Sequence, residues 1–302
     1  MQLSQIKAIK ILFINIMKQI FTCYWGGYFK NIKEYPQTLD MIPEFVDVVI
    51  LAFVGPIQNS TVEITFLCSI YSAEQIKEWI NICHSKNIKV FFSVLDTPET
   101  HWDQIDLTKF AKSLKVLMDD WNIDGIDIDA ESDMPSECYV EKFIELATCI
   151  KNEIKTLPLT YTCYTGTEGP DGEILKAIKD KLEWIQLMAY FDTFEGMVDL
   201  YNDYKTIMSD DIVIGVKAGS DITPIEEVAK LCLWNKNKKG IMLWTINRDT
   251  PQYTYNKLLL WTNTINFNLK NFTFLNTSNY IKNIFCIDLF TCINSCLPIK
   301  YN

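Results

Sequence analysis

The sequence predicts an α/β protein built as a single (β/α)8 barrel, and three observations carry that expectation. Short apolar runs alternate with stretches of helical period along most of the chain. Such alternation argues for a parallel sheet covered by helices, and a count of eight runs favours closure. No glycine-rich phosphate loop follows any run, which weakens the competing doubly wound open sheet.

The first strand is read at Ile20 to Trp25, before a Gly26-Gly27-Tyr28 turn. Residues 29–47 form a loop broken by Pro36 and Pro43. Val48 to Phe53 is apolar throughout, as in a strand covered on both faces. Ser72 with Gln75 gives a capping-box pattern, and Ile76, Trp79, Ile80 and Cys83 form the buried stripe of the helix that follows. Lys89 to Leu95 is the third strand. A helix from about Asp106 carries Leu107, Phe110, Leu114 and Met118 at helical spacing.

The fourth strand, 124–131, is rich in acids. Helices near 137–155 and 172–182 flank a strand at Leu159 to Tyr164. Trp184 to Phe191 is the sixth strand, a helix covers about 196–208, and Ile212 to Val216 is the seventh strand. Thr223-Pro224-Ile225-Glu226 reads as a helix start with Thr223 as N-cap. Gly240 to Ile246 is the eighth strand, and Thr250-Pro251 opens a last helix. The expected organisation is a leader at 1–19, one barrel domain at 20–266, and a tail at 267–302 rich in Asn, Phe and Ile.

The 302 residues are 48% hydrophobic, enough for a sizeable core and incompatible with global disorder. A formal net charge of -10 argues against nucleic acid, whose binding needs clustered Lys and Arg, and favours a neutral partner. Only two histidines, His84 and His101, leave acid–base work to carboxylates, and neither a metal nor a cofactor is expected. The ten cysteines show no C-x-x-C pair. The leader has the lysines and apolar run of a signal peptide, but Lys18 interrupts it and no small-residue cleavage site follows. The compartment stays open, secretion included. No run is long enough to span a membrane, and a monomer is expected.

The chemistry concentrates in Gly125-Ile126-Asp127-Ile128-Asp129-Ala130-Glu131. A strand alternates its side chains, so Asp127, Asp129 and Glu131 share one face and Ile126, Ile128 and Ala130 the other. Acids on an apolar strand are costly unless they are hydrogen-bonded or have work to do. The plainer readings are a solvated edge, which the interleaved isoleucines disfavour, and a calcium loop, which wants a Gly at its sixth position. In a barrel, function sits at the C-terminal strand ends. Glu131 then stands at the mouth, with Asp129 about 7 Å behind it by strand rise and Asp127 deeper. Like charges this close keep one group protonated, and Glu131 is expected to be that general acid. On the sixth strand Gln186, Met188 and Tyr190 share a face; Tyr190 is either a substrate-binding hydroxyl or barrel packing. On the eighth, Gly240, Met242 and Trp244 share a face; Trp244 is either a wall for a sugar ring or a core indole.

Together these stretches resemble glycoside hydrolase family 18, the chitinases and endo-β-N-acetylglucosaminidases. Asp124-x-x-Asp127-x-Asp129-x-Glu131 is similar to the family signature with all four acids in place. Tyr24-Trp25-Gly26-Gly27, Ala52-Phe53, Met188-x-Tyr190, Gly240-x-Met242-x-Trp244 and Asp249 follow in family order, so the resemblance spans about residues 20–266. There are departures. Ser93-Val94-Leu95-Asp96 lacks both glycines of the family's Ser-x-Gly-Gly; Ala130 and Ser132 stand where aromatics are common; Phe191 stands where an Asp adjoins the Tyr, with Asp192 one place later. The short link between strands seven and eight leaves no room for an inserted domain, so a shallow cleft is expected.

The resemblance implies retaining hydrolysis of a β-1,4 bond beside N-acetylglucosamine, with the substrate's acetamido oxygen as nucleophile. Glu131 would act as acid and then as base. Asp129 would bind the acetamido N–H, Asp127 would tune Asp129, and Tyr190 would hold the acetamido oxygen. Trp244 would floor the sugar, with Tyr24, Asp124, Gln186 and Met188 completing the substrate-binding set. The implied partner is an oligo- or polysaccharide containing N-acetylglucosamine, chitin first. Hydrolysis of N-glycan cores, or sugar binding without hydrolysis, are the competing readings.

Overall fold

The computed structural model describes residues 19–29, 38–190, 193–219, 223–234, 237–249 and 265. Leader residues 1–18, the tail at 267–302, the helix expected from Thr250, and Phe191 with Asp192 lie outside the described residues. The described strands are β1 (Ile20–Gly26), β2 (Val48–Pro56), β3 (Val62–Glu63), β4 (Lys89–Val94), β5 (Gly125–Asp129), β6 (Leu159–Cys163), β7 (Trp184–Leu187), β8 (Ile212–Lys217) and β9 (Gly240–Trp244). β3 is a short antiparallel addition to the end of β2. The other eight pair in parallel, and β9 closes onto β1 to complete the (β/α)8 barrel. The acid-rich strand is therefore β5, fourth in the barrel.

Six α-helices are described: α1 (Ala73–Ser85), α2 (Leu107–Trp121), α3 (Ser136–Ile154), α4 (Pro170–Ile178), α5 (Phe194–Met208) and α6 (Ile225–Leu233). Local chemistry sets several of their ends. Ser72 and Gln75 form the expected capping box on α1. The Asp106 carboxylate caps α2 by accepting Lys109 N–H at 2.9 Å. Asn122 ends α2 in the left-handed conformation, which Asn tolerates better than most residues. Thr223 departs from expectation. Pro224, not Thr223, is the N-cap of α6. The Thr223 hydroxyl instead accepts Lys217 N–H at 3.0 Å and donates to the Tyr190 carbonyl at 3.0 Å, tying two loops together. No described helix is long and apolar enough to cross a membrane.

The core has two parts, and strand alternation sorts residues between them. Ile126, Ile128 and Ala130 face outward into the large core beneath the helices. Tyr24, Ile50, Phe91, Trp184, Val213 and Met242 fill the barrel interior. Phe91 and Trp184 stack at 5.7 Å. Gly125 makes room for that pair: a Cβ there would lie 2.7 Å from the Phe91 ring. The glycine in the acid motif thus serves packing within the barrel.

β9 stops at Trp244, two residues short of its sequence pattern, and two further strands end early. β5 stops at Asp129, so Glu131 lies beyond the ladder on the connecting segment. β7 stops at Leu187, because Ala189 N–H turns back to the Leu187 carbonyl at 2.9 Å. Both departures occur at the barrel mouth, where the chain leaves the sheet to build a site. The peptide bonds Ala52–Phe53, within β2, and Trp244–Thr245, at the end of β9, are cis.

Candidate active site

Asp127 is fully buried, and hydroxyls from neighbouring strands surround it. Tyr24 Oη donates to its Oδ2 at 2.7 Å and Ser93 Oγ at 2.8 Å. Thr160 Oγ1 and Gln186 Nε2 donate to its Oδ1 at 2.7 and 3.2 Å. Thr162 Oγ1 reaches the same carboxylate at 3.0 Å. Those donors saturate the lone pairs of a buried carboxylate and offset its desolvation. Gln186 is itself complete, since its Oε1 accepts from Thr22 at 3.0 Å.

One turn of the pleat higher, Asp129 is also buried. Burial first, then the charges of Glu131 and Asp127, push its carboxyl well above the usual carboxylate range. Its Oδ1 accepts Glu131 N–H at 3.2 Å, which links the two acids through the backbone. Glu131 is accessible to solvent at the mouth. The surrounding walls remove enough water from its carboxyl to raise its pKa, and that desolvation is the cause. Like-charge repulsion, the mechanism expected from the strand spacing, acts mainly on Asp129.

These acids open into a cleft of about 580 Å³. Tyr24, Asp129, Glu131, Met188, Tyr190 and Trp244 line it, so six of the sequence-derived candidates meet there. Burial, followed by the charges of Asp129 and Glu131, pushes the Tyr190 phenol well above its usual range, keeping it a neutral hydrogen-bond donor. Trp244 packs edge-on against Tyr24 at 5.2 Å and stacks on Phe53 at 5.9 Å. Phe53 continues to Tyr28 at 6.4 Å, giving one side of the mouth an aromatic surface.

Two candidates lie elsewhere. Asp124 precedes β5, at the end of the barrel opposite the mouth. Its Oδ2 accepts Val90 N–H at 2.7 Å and meets His84 Nε2 at 2.9 Å, so it joins β4 to α1 and is not a substrate contact. Gln186 is enclosed beneath the cleft and supports Asp127. Four described residues stand at the departures from the family pattern, and they gather at or beside the site: Leu95 lines the cleft, Ala130 is buried next to Glu131, and Ser132 bonds to Asp96.

Sequence reasoning passed over several residues. Thr160 and Thr162 alternate with apolar residues on buried β6, a pattern that could have marked them as partners for an interior acid. Lys217, Arg248 and Tyr164 also line the cleft. Tyr164 is 61% exposed. The Asp171 carboxylate holds its loop by accepting the Tyr164 and Thr165 N–H groups, each at 2.6 Å. No local sequence pattern distinguishes Lys217 or Arg248.

Known structures share this architecture. The chain is similar to a chitinase from Pseudoalteromonas aurantia at 19% identity and a TM-score of 0.66, covering 83% of this chain and 100% of that one. A chitinase from Chromobacterium violaceum gives 21% identity and a TM-score of 0.64, covering 84% of each chain. A Group IV chitinase from Ostrinia furnacalis in complex with allosamidin gives 16% identity and a TM-score of 0.65, covering 84% of this chain and 99% of that one. At such identities these likenesses speak for the fold. No curated protein matches the sequence. The family model described as Glycosyl hydrolases family 18 matches residues 20–206, well over half of the chain. On that match, and with the acid motif seated at the mouth of an eight-stranded barrel, the chain belongs to glycosyl hydrolases family 18.

Proposed function

We propose that this protein is a retaining glycosidase that cleaves β-1,4 bonds beside N-acetylglucosamine in chitin or chito-oligosaccharides, with the substrate's acetamido group as nucleophile. One observation carries the reading. Among the described lining residues, both carboxylates of the cleft, Asp129 and Glu131, come from β5 and its extension. A retaining enzyme with its own nucleophile places two acids on opposite sides of the bond, about 5–5.5 Å apart. A nucleophile carried by the substrate removes the need for the second side.

In this reading protonated Glu131 gives its proton to the glycosidic oxygen as the bond from the anomeric carbon breaks. The acetamido carbonyl oxygen forms the new bond to that carbon, closing an oxazolinium ring. Asp129 accepts the acetamido N–H and offsets the positive charge. A raised pKa suits this task, because a neighbouring cation draws out the negative charge that burial opposes. Glu131, now a carboxylate, takes a proton from water while the water oxygen attacks the anomeric carbon and opens the ring. Tyr190 donates to the acetamido oxygen, and Trp244 faces the apolar side of the pyranose. Asp127, oriented by Tyr24 and Ser93, fixes the base of the row.

The test compares chito-oligosaccharides with a high-mannose glycopeptide, using wild type and Glu131→Gln. Wild type is expected to cleave the chito-oligosaccharide and release a product of retained β configuration. Glu131→Gln should lower kcat by about 10²–10⁴-fold and still bind allosamidin. Cleavage of the glycopeptide alone moves the substrate to N-glycan cores. Binding without any cleavage makes the protein a lectin. Full activity in Glu131→Gln removes the acid role.

A further inference from the structure

Two of the departures from the family pattern touch each other. Asp96 occupies the position of a family glycine after β4, and Ser132 follows Glu131 where an aromatic is common. Ser132 Oγ donates to Asp96 Oδ2 at 2.6 Å, a charge-assisted bond at the short end of its range. His101 Nδ1 lies 3.1 Å from the same oxygen. The Asp96 side chain is only 4% exposed. Its segment is firmly built: Thr97 and Thr100 exchange both backbone hydrogen bonds, at 3.2 and 3.1 Å. His101 N–H then donates to Gln104 Oε1 at 3.2 Å and Gln104 N–H to the His101 carbonyl at 3.0 Å, closing a short 3-10 turn whose Trp102 is fully buried.

The segment that carries Glu131 is held just as closely. Before it, Ala130 N–H donates to the Thr162 carbonyl at 3.1 Å, and Tyr139 Oη donates to the Ala130 carbonyl. After it, Ser132 Oγ accepts Met134 N–H at 3.2 Å, and Met134 is buried in the core. Ala130 and Ser132 therefore fix the backbone on both sides of Glu131. The Ser132 side of that clamp has its anchor on another strand's loop, at Asp96.

We propose that Asp96 is a positioning residue for Glu131, acting through Ser132, with His101 holding Asp96 in place. The inference rests on the reading of Glu131 as the general acid. It accounts for the acid's support in a chain that has lost the neighbouring glycines and aromatics. A small side chain at 132 admits a hydroxyl close enough to reach Asp96, and a carboxylate at 96 gives that hydroxyl a partner.

The experiment uses the full chain with Ser132→Ala, Ser132→Thr, Asp96→Ala, and Ser132→Ala combined with Asp96→Ala. It measures kcat and KM on a chito-oligosaccharide and amide hydrogen exchange across residues 130–134. Misplacing a catalytic group by about 1 Å costs on the order of a hundredfold, so Ser132→Ala is expected to lower kcat by roughly ten- to a hundredfold with KM nearly unchanged. Ser132→Thr, which restores the hydroxyl, recovers most of that loss. The double variant is no worse than Ser132→Ala, because both changes break one link. Exchange quickens at 131–134 and stays slow in β5. A rise in KM with kcat preserved, additive losses in the double variant, or no recovery in Ser132→Thr overturns the proposal. If wild type cleaves no substrate, the proposed reaction fails on its own. Exchange then decides the positioning: faster exchange confined to 131–134 in Ser132→Ala sustains it, and unchanged exchange overturns it.

Discussion

Replacing Tyr24 with Phe removes one oxygen and leaves the ring in place. The ring keeps its contacts with Trp244 at 5.2 Å and Phe53 at 6.5 Å, so no cavity of consequence opens. What is lost is the donor to Asp127 Oδ2 at 2.7 Å, the bond to Thr162 Oγ1 at 2.7 Å, and an acceptor for Gln186 Nε2 at 3.1 Å. A hydrogen bond to a charged group contributes about 1.5–3 kcal/mol when buried. At roughly 2–4 °C per kcal/mol for a chain of this size, the melting temperature should fall by roughly 3–12 °C. Ser93 donates to the same oxygen at 2.8 Å, so the two losses should not be independent. A double-mutant cycle of Tyr24→Phe with Ser93→Ala, read by urea unfolding, should give a coupling energy of about 0.5–3 kcal/mol. Thr160→Val is the control, because Thr160 serves the other oxygen, Oδ1. A cost below about 0.5 kcal/mol for Tyr24→Phe, with simple additivity in the cycle, would show that Asp127 does not depend on its hydroxyl ring.

Two predictions concern pH. The folded pKa of Asp129 lies above the ordinary carboxylate value because burial and its acid neighbours oppose its charge. The folded state then holds a proton that the unfolded state has released, so Asp129 costs stability progressively as pH rises above about 4. Asp129→Asn should therefore melt higher than wild type near neutral pH, with the gap closing toward about pH 4 while activity is lost. A gap that is the same at both pH values would exclude this cause. Glu131 must be protonated to act as acid, and partial burial raises its pKa. The alkaline limb of kcat/KM should therefore lie above the ordinary Glu value of about 4.3. It belongs to the Asp129–Glu131 pair jointly, since the two interact. A limb at or below the ordinary value would contradict the desolvated acid.

The alternation of acids and isoleucines in β5 was legible because a strand has period two and the covered faces differ sharply in polarity. Asp127 and Asp129 do face the interior while Ile126 and Ile128 face the helices. The strand's end was not legible. It depends on Glu131 N–H bonding the Asp129 side chain two residues back, a local Asx-type turn that competes with the ladder and that the alternation alone does not show. Thr223 shows a second limit: its cap signal is sound locally, but the Tyr190 carbonyl and Lys217 N–H claim the hydroxyl. Asp124 was misplaced for a different reason. Seven residues of strand before Glu131 amount to about 23 Å, which puts it at the far end of the barrel. Motif membership outweighed that direction. Lys217 ends β8 and Arg248 follows β9, and only the closed barrel brings them to the same cleft as Glu131.

Asp127 collects donors from β1, β4, β6 and β7 while sitting on β5, so one side chain joins most of the barrel's circumference by spokes of hydrogen bonds. Glu131, two pleats above, has no such duty. Selection would see the two acids differently. A lineage that abandoned hydrolysis could discard Glu131 in a single step and keep its barrel, whereas loss of Asp127 would strand the hydroxyls of Tyr24, Ser93 and Thr160 around an empty centre. In this architecture the interior acid is tied to the barrel itself, and the acid at the mouth is tied to what the cleft does.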